Sequence, residues 1–187
     1  MKWTVFFKFS IFLLLTSLVS CQEEDCFPKA KAKLALNYPK VSYKTIKLDN
    51  CPYKFQINTL VEVRRKKDCN IALIYPNIDL AIDLTYIPLH DDMKNAIAGI
   101  NKIATEHIKR GDGFLQHPFE NDTNIGMVIE VKGNVASNAQ FYVTDKKKHF
   151  LSGSLYFKSR PQIDSLLPAV HYLNNDIKVI METVKWK

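Results

Sequence analysis

The chain has 187 residues, 26 basic against 19 acidic side chains, a formal charge of +7, and 47% hydrophobic residues. That length supports one domain with a genuine core and is too short for two comfortable ones. The positive excess falls in short clusters, Arg64-Arg65-Lys66-Lys67 and Lys146-Lys147-Lys148, with no interleaved aromatics, so nucleic acid is not an expected partner and solvated turns are the simplest reading.

The first 20 residues have the form of a signal peptide. Lys2 and Lys8 supply a positive start, and residues 9–19 are apolar except for Ser10, Thr16 and Ser17. As a helix this run is roughly 16 Å long, about half of the roughly 30 Å of hydrocarbon in a bilayer, so it cannot serve as a permanent span. Its ending, Leu18-Val19-Ser20-Cys21, resembles a bacterial lipobox, in which the cysteine thiol receives diacylglycerol before cleavage. Cys21 is then the first residue of the mature chain and its membrane anchor, because two or three acyl chains hold where one is marginal. Residues 21–38, with the acidic stretch Gln22-Glu23-Glu24-Asp25, Pro28 and a Lys/Ala run, read as a lipid-anchored linker, and residues 39–187 as a single domain.

In the domain, Tyr53, Phe55, Ile57, Thr59, Val61 and Val63 alternate with polar residues, with Leu60 the one breach, which predicts a half-buried strand over residues 53–64. Residues 71–75 form a short apolar strand closed by Pro76-Asn77, and residues 78–86 alternate again. From Met93 the period becomes helical: Met93, Ala96, Ile97, Ile100, Ile103, Ala104, His107 and Ile108 share one face, with Asp91 or Asp92 as cap and Lys109-Arg110-Gly111 at the end. A second strand set covers residues 125–131, 139–144 and 149–157, with Gly133-Asn134 as a hairpin signal. The last segment is helical through Val184, beginning near Ser165 or kinking at Pro168. The expected fold is α+β, an antiparallel sheet of about six strands with two amphipathic helices packed on one side.

Chemistry is sparse. Ser152-Gly153-Ser154-Leu155 lacks the second glycine of a nucleophile elbow and lies inside a strand pattern. The 6 glycines are too dispersed for a phosphate loop, and the five histidines show no metal spacing. His107 and His171 read as core or boundary residues, and His90-Asp91-Asp92 as helix capping. Neither an enzyme, a metal site nor a cofactor is expected. Besides Cys21 there are Cys26, Cys51 and Cys69, an odd number that does not close a disulfide framework; Cys51 with Cys69 is the pair to consider, and the unpaired reading is preferred. One hairpin stands out: Asn134, Ser137, Asn138, Gln140 and Tyr142 set polar side chains among aromatics, as a recognition surface for polar backbone or glycan would. Turn chemistry over an aromatic core is the competing explanation.

Gly133-Asn134-x-Ala136-Ser137, Gln140-Phe141-Tyr142-Val143-Thr144-Asp145, His149-Phe150-Leu151-x-Gly153-Ser154-Leu155-Tyr156-Phe157 and Met181-Glu182-Thr183-x-x-Trp186-Lys187, following a lipobox, resemble the GldD family of gliding-motility lipoproteins of Bacteroidota. The resemblance runs from Cys21 to Lys187. It implies an envelope lipoprotein needed for gliding and the linked type IX secretion machinery, with other envelope proteins as partners and no established enzymatic activity. It maps one functional residue, the lipidation site at Cys21. The other reading is a lipoprotein that binds cell-wall or surface polysaccharide. Gln22 is not the aspartate of inner-membrane retention, and Glu23-Glu24-Asp25 resembles acidic export signals, so outer-membrane attachment is expected, with the leaflet left open.

Overall fold

The computed structural model describes residues 40–78, 80–157 and 163–187; Cys21 and the linker expected over residues 21–38 lie outside the described residues. Two antiparallel sheets and two helices are described. The small sheet holds β1 (Tyr43–Lys47), β2 (Tyr53–Asn58) and β10 (Lys185–Trp186), in the order β1-β2-β10. The large sheet holds β3 (Glu62–Arg65), β4 (Ile71–Tyr75), β5 (Leu80–Pro88), β6 (Gly113–Glu120), β7 (Ile125–Lys132), β8 (Ala139–Thr144) and β9 (His149–Phe157), in the order β3-β4-β5-β9-β8-β7-β6. The helices are α1 (Met93–Ile108) and α2 (Ile163–Thr183). The α+β class stands, with two sheets in place of one.

The single strand expected over residues 53–64 is two strands in different sheets. The chain leaves the small sheet at the breach in alternation: Leu60 is exposed, its N–H donates to Asn58 Oδ1 at 3.1 Å, and the Val61 N–H donates to the Asn58 carbonyl at 3.2 Å. This local turn reverses the backbone before β3 pairs with β4.

The helices do not share one side of the large sheet. Successive strand residues point to opposite faces, and β8 sorts its side chains accordingly. Phe141 and Val143 join the main core with Leu173, Ile177 and Ile180 of α2 and with Tyr53, Phe55 and Ile57 of β2. Tyr142 joins Phe150, Leu89 and Ile100 in a second cluster under α1. The expectation of both helices on one side is corrected because β8 and β9 are buried on both faces, so each face has its own cover. The stripe on α1 is narrower than its sequence suggested: Ile100 and Ala104 are buried, whereas Ile103 is 40% exposed. Asp92 holds the N-cap position of α1, yet its carboxylate accepts from the His90 N–H at 3.0 Å instead of from the helix.

Gly153 illustrates how tightly β8 and β9 fit. It sits opposite Phe141 in register, and a Cβ there would collide with the Phe141 ring and lie 2.8 Å from Leu84 Cδ2. The α2 helix begins at Ile163, two residues before the expected Ser165, and the side chains of residues 163–168, Pro168 among them, lie outside the described residues.

A disulfide joins Cys51, in the β1–β2 loop, to Cys69, in the β3–β4 turn, with Cα atoms 5.5 Å apart. This corrects the preferred unpaired reading. A count of cysteines says nothing about which of them the fold brings together, and here each lies in a turn of a different sheet.

Candidate interaction site

The expected recognition hairpin is mostly interior. Ser137 and Gln140 are fully buried, Asn138 and Tyr142 are buried, and Asn134 alone among the five is exposed. Asn138 Nδ2 donates to the carbonyls of Val131 and Gly133 at 2.9 and 3.1 Å, which closes the loop between β7 and β8 from inside. Gln140 Nε2 donates to Ser137 Oγ at 2.7 Å and to the Ser137 carbonyl at 3.1 Å. Tyr142 stacks on Phe150 with ring centroids 5.2 Å apart, beneath α1. The recognition surface built on Ser137, Asn138, Gln140 and Tyr142 is therefore corrected to an internal frame. The loop is longer than the two-residue turn that Gly133-Asn134 suggested, and its amides satisfy backbone carbonyls that the ladder leaves over.

The same burial disposes of the serine pair. Ser152 is 4% and Ser154 6% exposed on the central strand β9, Ser152 Oγ lies 3.3 Å from the Thr85 carbonyl, and Gly153 between them makes room for Phe141. His107 is a boundary residue, as expected; burial and then neighbouring Arg110 push its pKa below the usual value. His171, expected at a core or boundary position, is exposed. Among the described residues no cluster of three or more His, Cys, Asp or Glu is placed to hold a metal ion.

What the fold does assemble is a cleft of about 460 Å³ between two turns and the carboxyl-terminal strand. The β6–β7 turn supplies Asn121, Asp122, Thr123 and Asn124, the β8–β9 turn supplies Asp145, Lys146 and Lys147, and Trp186 of β10 closes the third side. Each wall is held from behind. Asn124 is 2% exposed; its Oδ1 accepts from Trp186 Nε1 at 2.6 Å, and its Nδ2 donates to the Val184 carbonyl at 3.3 Å. Trp186 stacks on His149 at 5.1 Å between centroids and 9° between planes, and His149 Nδ1 lies 2.9 Å from the Tyr86 hydroxyl. Burial raises the Asp145 pKa, but the backbone N–H groups of His149, Lys147 and Lys148 outweigh it and hold the carboxyl below its ordinary value. An anion fixed by three N–H groups makes a stiff turn, which presents Lys146 and Lys147 at the rim.

The carboxyl-terminal segment, α2 followed by β10, is anchored at two places. At one end Trp186 pairs with Tyr53, the Lys187 N–H donates to the Pro52 carbonyl at 2.8 Å, and Lys187 Nζ donates to the Cys51 carbonyl at 2.6 Å. At the other, α2 is fixed by a buried carboxylate. Asp176 accepts from the Tyr43 and Tyr75 hydroxyls at 2.8 Å each and from Asn58 Nδ2 at 3.2 Å. Desolvation raises the Asp176 pKa in spite of these donors, and burial followed by the nearby Asp176 carboxylate pushes Tyr75 far up. The cluster joins α2 to β1, β2 and β4. No sequence pattern announced it, because Asp176 lies more than a hundred residues along the chain from each of its partners.

Chemically, the cleft offers one indole edge, ammonium groups and carboxylates around amides that are already engaged, a surface suited to polar groups of a partner. The model of the family described as gliding motility lipoprotein GldD matches residues 23–186. No curated protein matches. The solution structure of cyanobacterial PsbP (CyanoP) from Synechocystis sp. PCC 6803 aligns at a TM-score of 0.49 and 10% identity, over 86% of this chain and all of that one, a likeness that carries no functional argument.

Proposed function

The chain belongs to the GldD family of gliding motility lipoproteins, and from that membership we propose that it is a lipid-anchored, non-enzymatic accessory component of the gliding and type IX secretion machinery. In this reading residues 1–20 are removed, Cys21 carries the acyl chains, residues 21–38 form the tether, and residues 39–187 fold as the working domain on the outer membrane. The observation that carries it is the family match, which spans residues 23–186 and so takes in tether and domain together. The packing supports a scaffold in place of a catalyst: the serines of β9 are buried against backbone, and the amides of the β7–β8 loop hold backbone carbonyls. Partner proteins of the envelope are met at the cleft, whose rim carries Lys146 and Lys147 beside Trp186.

A photo-crosslinking amino acid at Lys147, compared with one at Lys102 on α1, tests this in gliding cells. Adducts to envelope proteins of the motility and secretion apparatus from position 147, and not from 102, are expected. Adducts confined to glycan, or an identical adduct set from both positions, would contradict a cleft that receives machine partners.

A further inference from the structure

Three lysines stand in register across the small sheet. Lys47 of β1 pairs with Lys54 of β2, and Lys54 pairs with Lys185 of β10. Residues paired in an antiparallel ladder project to the same face, so the three side chains leave together from about 10 Å of sheet. All three are exposed, and none forms an ion pair among the described residues. The acids nearest in sequence are engaged elsewhere, Asp49 with Arg65 and Glu182 with Lys178, each at 3.8 Å. Like charges directly opposite one another destabilise a ladder. The opposite face of the sheet, with Tyr53 and Phe55, is buried in the main core, so the row cannot turn inward.

A row of opposed cations that weakens the isolated sheet is stabilised when a surface of negative charge covers it. Connectivity indicates which surface. β1 is the first described element after the tether, and a linker over residues 21–38 reaches at most about 60 Å. We propose that Lys47, Lys54 and Lys185 form a membrane-facing surface that docks on the anionic phospholipid headgroups of the bilayer holding the acyl anchor. Acyl chains and a basic patch then act as two signals for one membrane, and the patch sets the orientation of the domain. This inference rests on attachment at Cys21, not on the identity of the machine partners.

The test uses the full lipidated chain reconstituted into vesicles of phosphatidylcholine, alone or mixed with phosphatidylglycerol. Protein recovered with floated vesicles is labelled with a water-soluble amine-reactive ester and read by peptide mass spectrometry. Lys47, Lys54 and Lys185 are expected to label about fivefold less in the anionic vesicles, with high salt restoring labelling and Lys102 unchanged. The variant Lys54→Gln adds a crossed readout: it relieves the opposed charges, so its melting temperature in detergent should not fall, while protection of Lys47 and Lys185 should shrink. Equal labelling of the row in both vesicle types would overturn the proposal. So would protection in cells that protein-free anionic vesicles fail to reproduce, because a protein would then be the cover.

Discussion

The indole of Trp186 lies on the imidazole of His149, with ring centroids 5.1 Å apart and planes 9° from parallel, and its Nε1 donates to the buried Asn124. Residues separated widely in the chain thus meet at one wall of the cleft. Replacing Trp186 by Ala removes the stack and leaves Asn124 Oδ1 without its donor, and should cost about 2–4 kcal/mol. Trp186→Phe keeps much of the packing and should lose only about 1–2 kcal/mol. Chemical denaturation of both variants checks the order. Equal stability of wild type and Trp186→Ala would show that β10 is not integrated into the domain.

The disulfide closes a separation of 18 residues, Cys51 to Cys69, and holds the loop whose carbonyls receive Lys187. Loop-closure entropy assigns it about 3 kcal/mol. The double variant Cys51→Ser/Cys69→Ser should melt lower by a corresponding margin. Alkylation before reduction should leave both cysteines unmodified in the wild type; labelling of either would contradict the pairing.

Asp176 sets a pH dependence. Its folded pKa is raised above the usual 3.8 of aspartate, mainly by desolvation. A group of this kind favours the folded state fully below its unfolded pKa, and that contribution is lost as pH rises through the raised folded value. Relative to Asp176→Asn, the wild type should therefore lose stability as pH increases from about 4 through the raised folded pKa. Denaturant midpoints of the two proteins across this window give the difference directly, and a wild type that gains on Asp176→Asn as pH rises would reverse the sign. Tyr53, pushed up by burial to about 12, stays neutral throughout.

Gly153 should tolerate no side chain. Its Cβ position is filled by Phe141 and approached by Leu84, so Gly153→Ala in the middle of the large sheet should cost about 1–3 kcal/mol, or more if the strands cannot shift. By contrast Ser154→Ala should leave motility intact, because its hydroxyl has no part in the proposed function. Complementation of a deletion strain measures the second point, and loss of gliding with normal protein levels would reopen the serine chemistry.

Much of this architecture was legible where one face of an element is buried. The alternation in β5 and the helical stripe around Ile100 each mark one buried face, the unbroken apolar run of β4 marks a strand buried on both, and each element appears where expected. The strands β1, β6 and β10 did not announce themselves. β6 is an edge strand with Phe114, Leu115, Gln116, His117 and Pro118 all exposed, so no alternation marks it, and Pro118 is tolerated only because the strand lies at an edge. β10 is two residues long and gains its meaning from Tyr53, far away in sequence. The cleft was hidden for the same reason. Asn124, Asp145 and Trp186 carry no common spacing, and only the return of α2 toward β2 brings them together. The polar hairpin misled in the opposite direction, since Asn138 and Gln140 are needed to satisfy buried backbone, a demand that composition does not reveal.

The most direct test of the account is the fate of a Cys21→Ala chain in gliding cells. Every core residue described lies at Leu48 or beyond, and acyl chains contribute attachment and not packing, so the variant should leave the membrane fraction, keep the melting temperature of the wild-type domain, and fail to support spreading. Recovery of the Cys21→Ala protein in the outer-membrane pellet at wild-type level, with spreading intact, would contradict lipid attachment as the basis of its function.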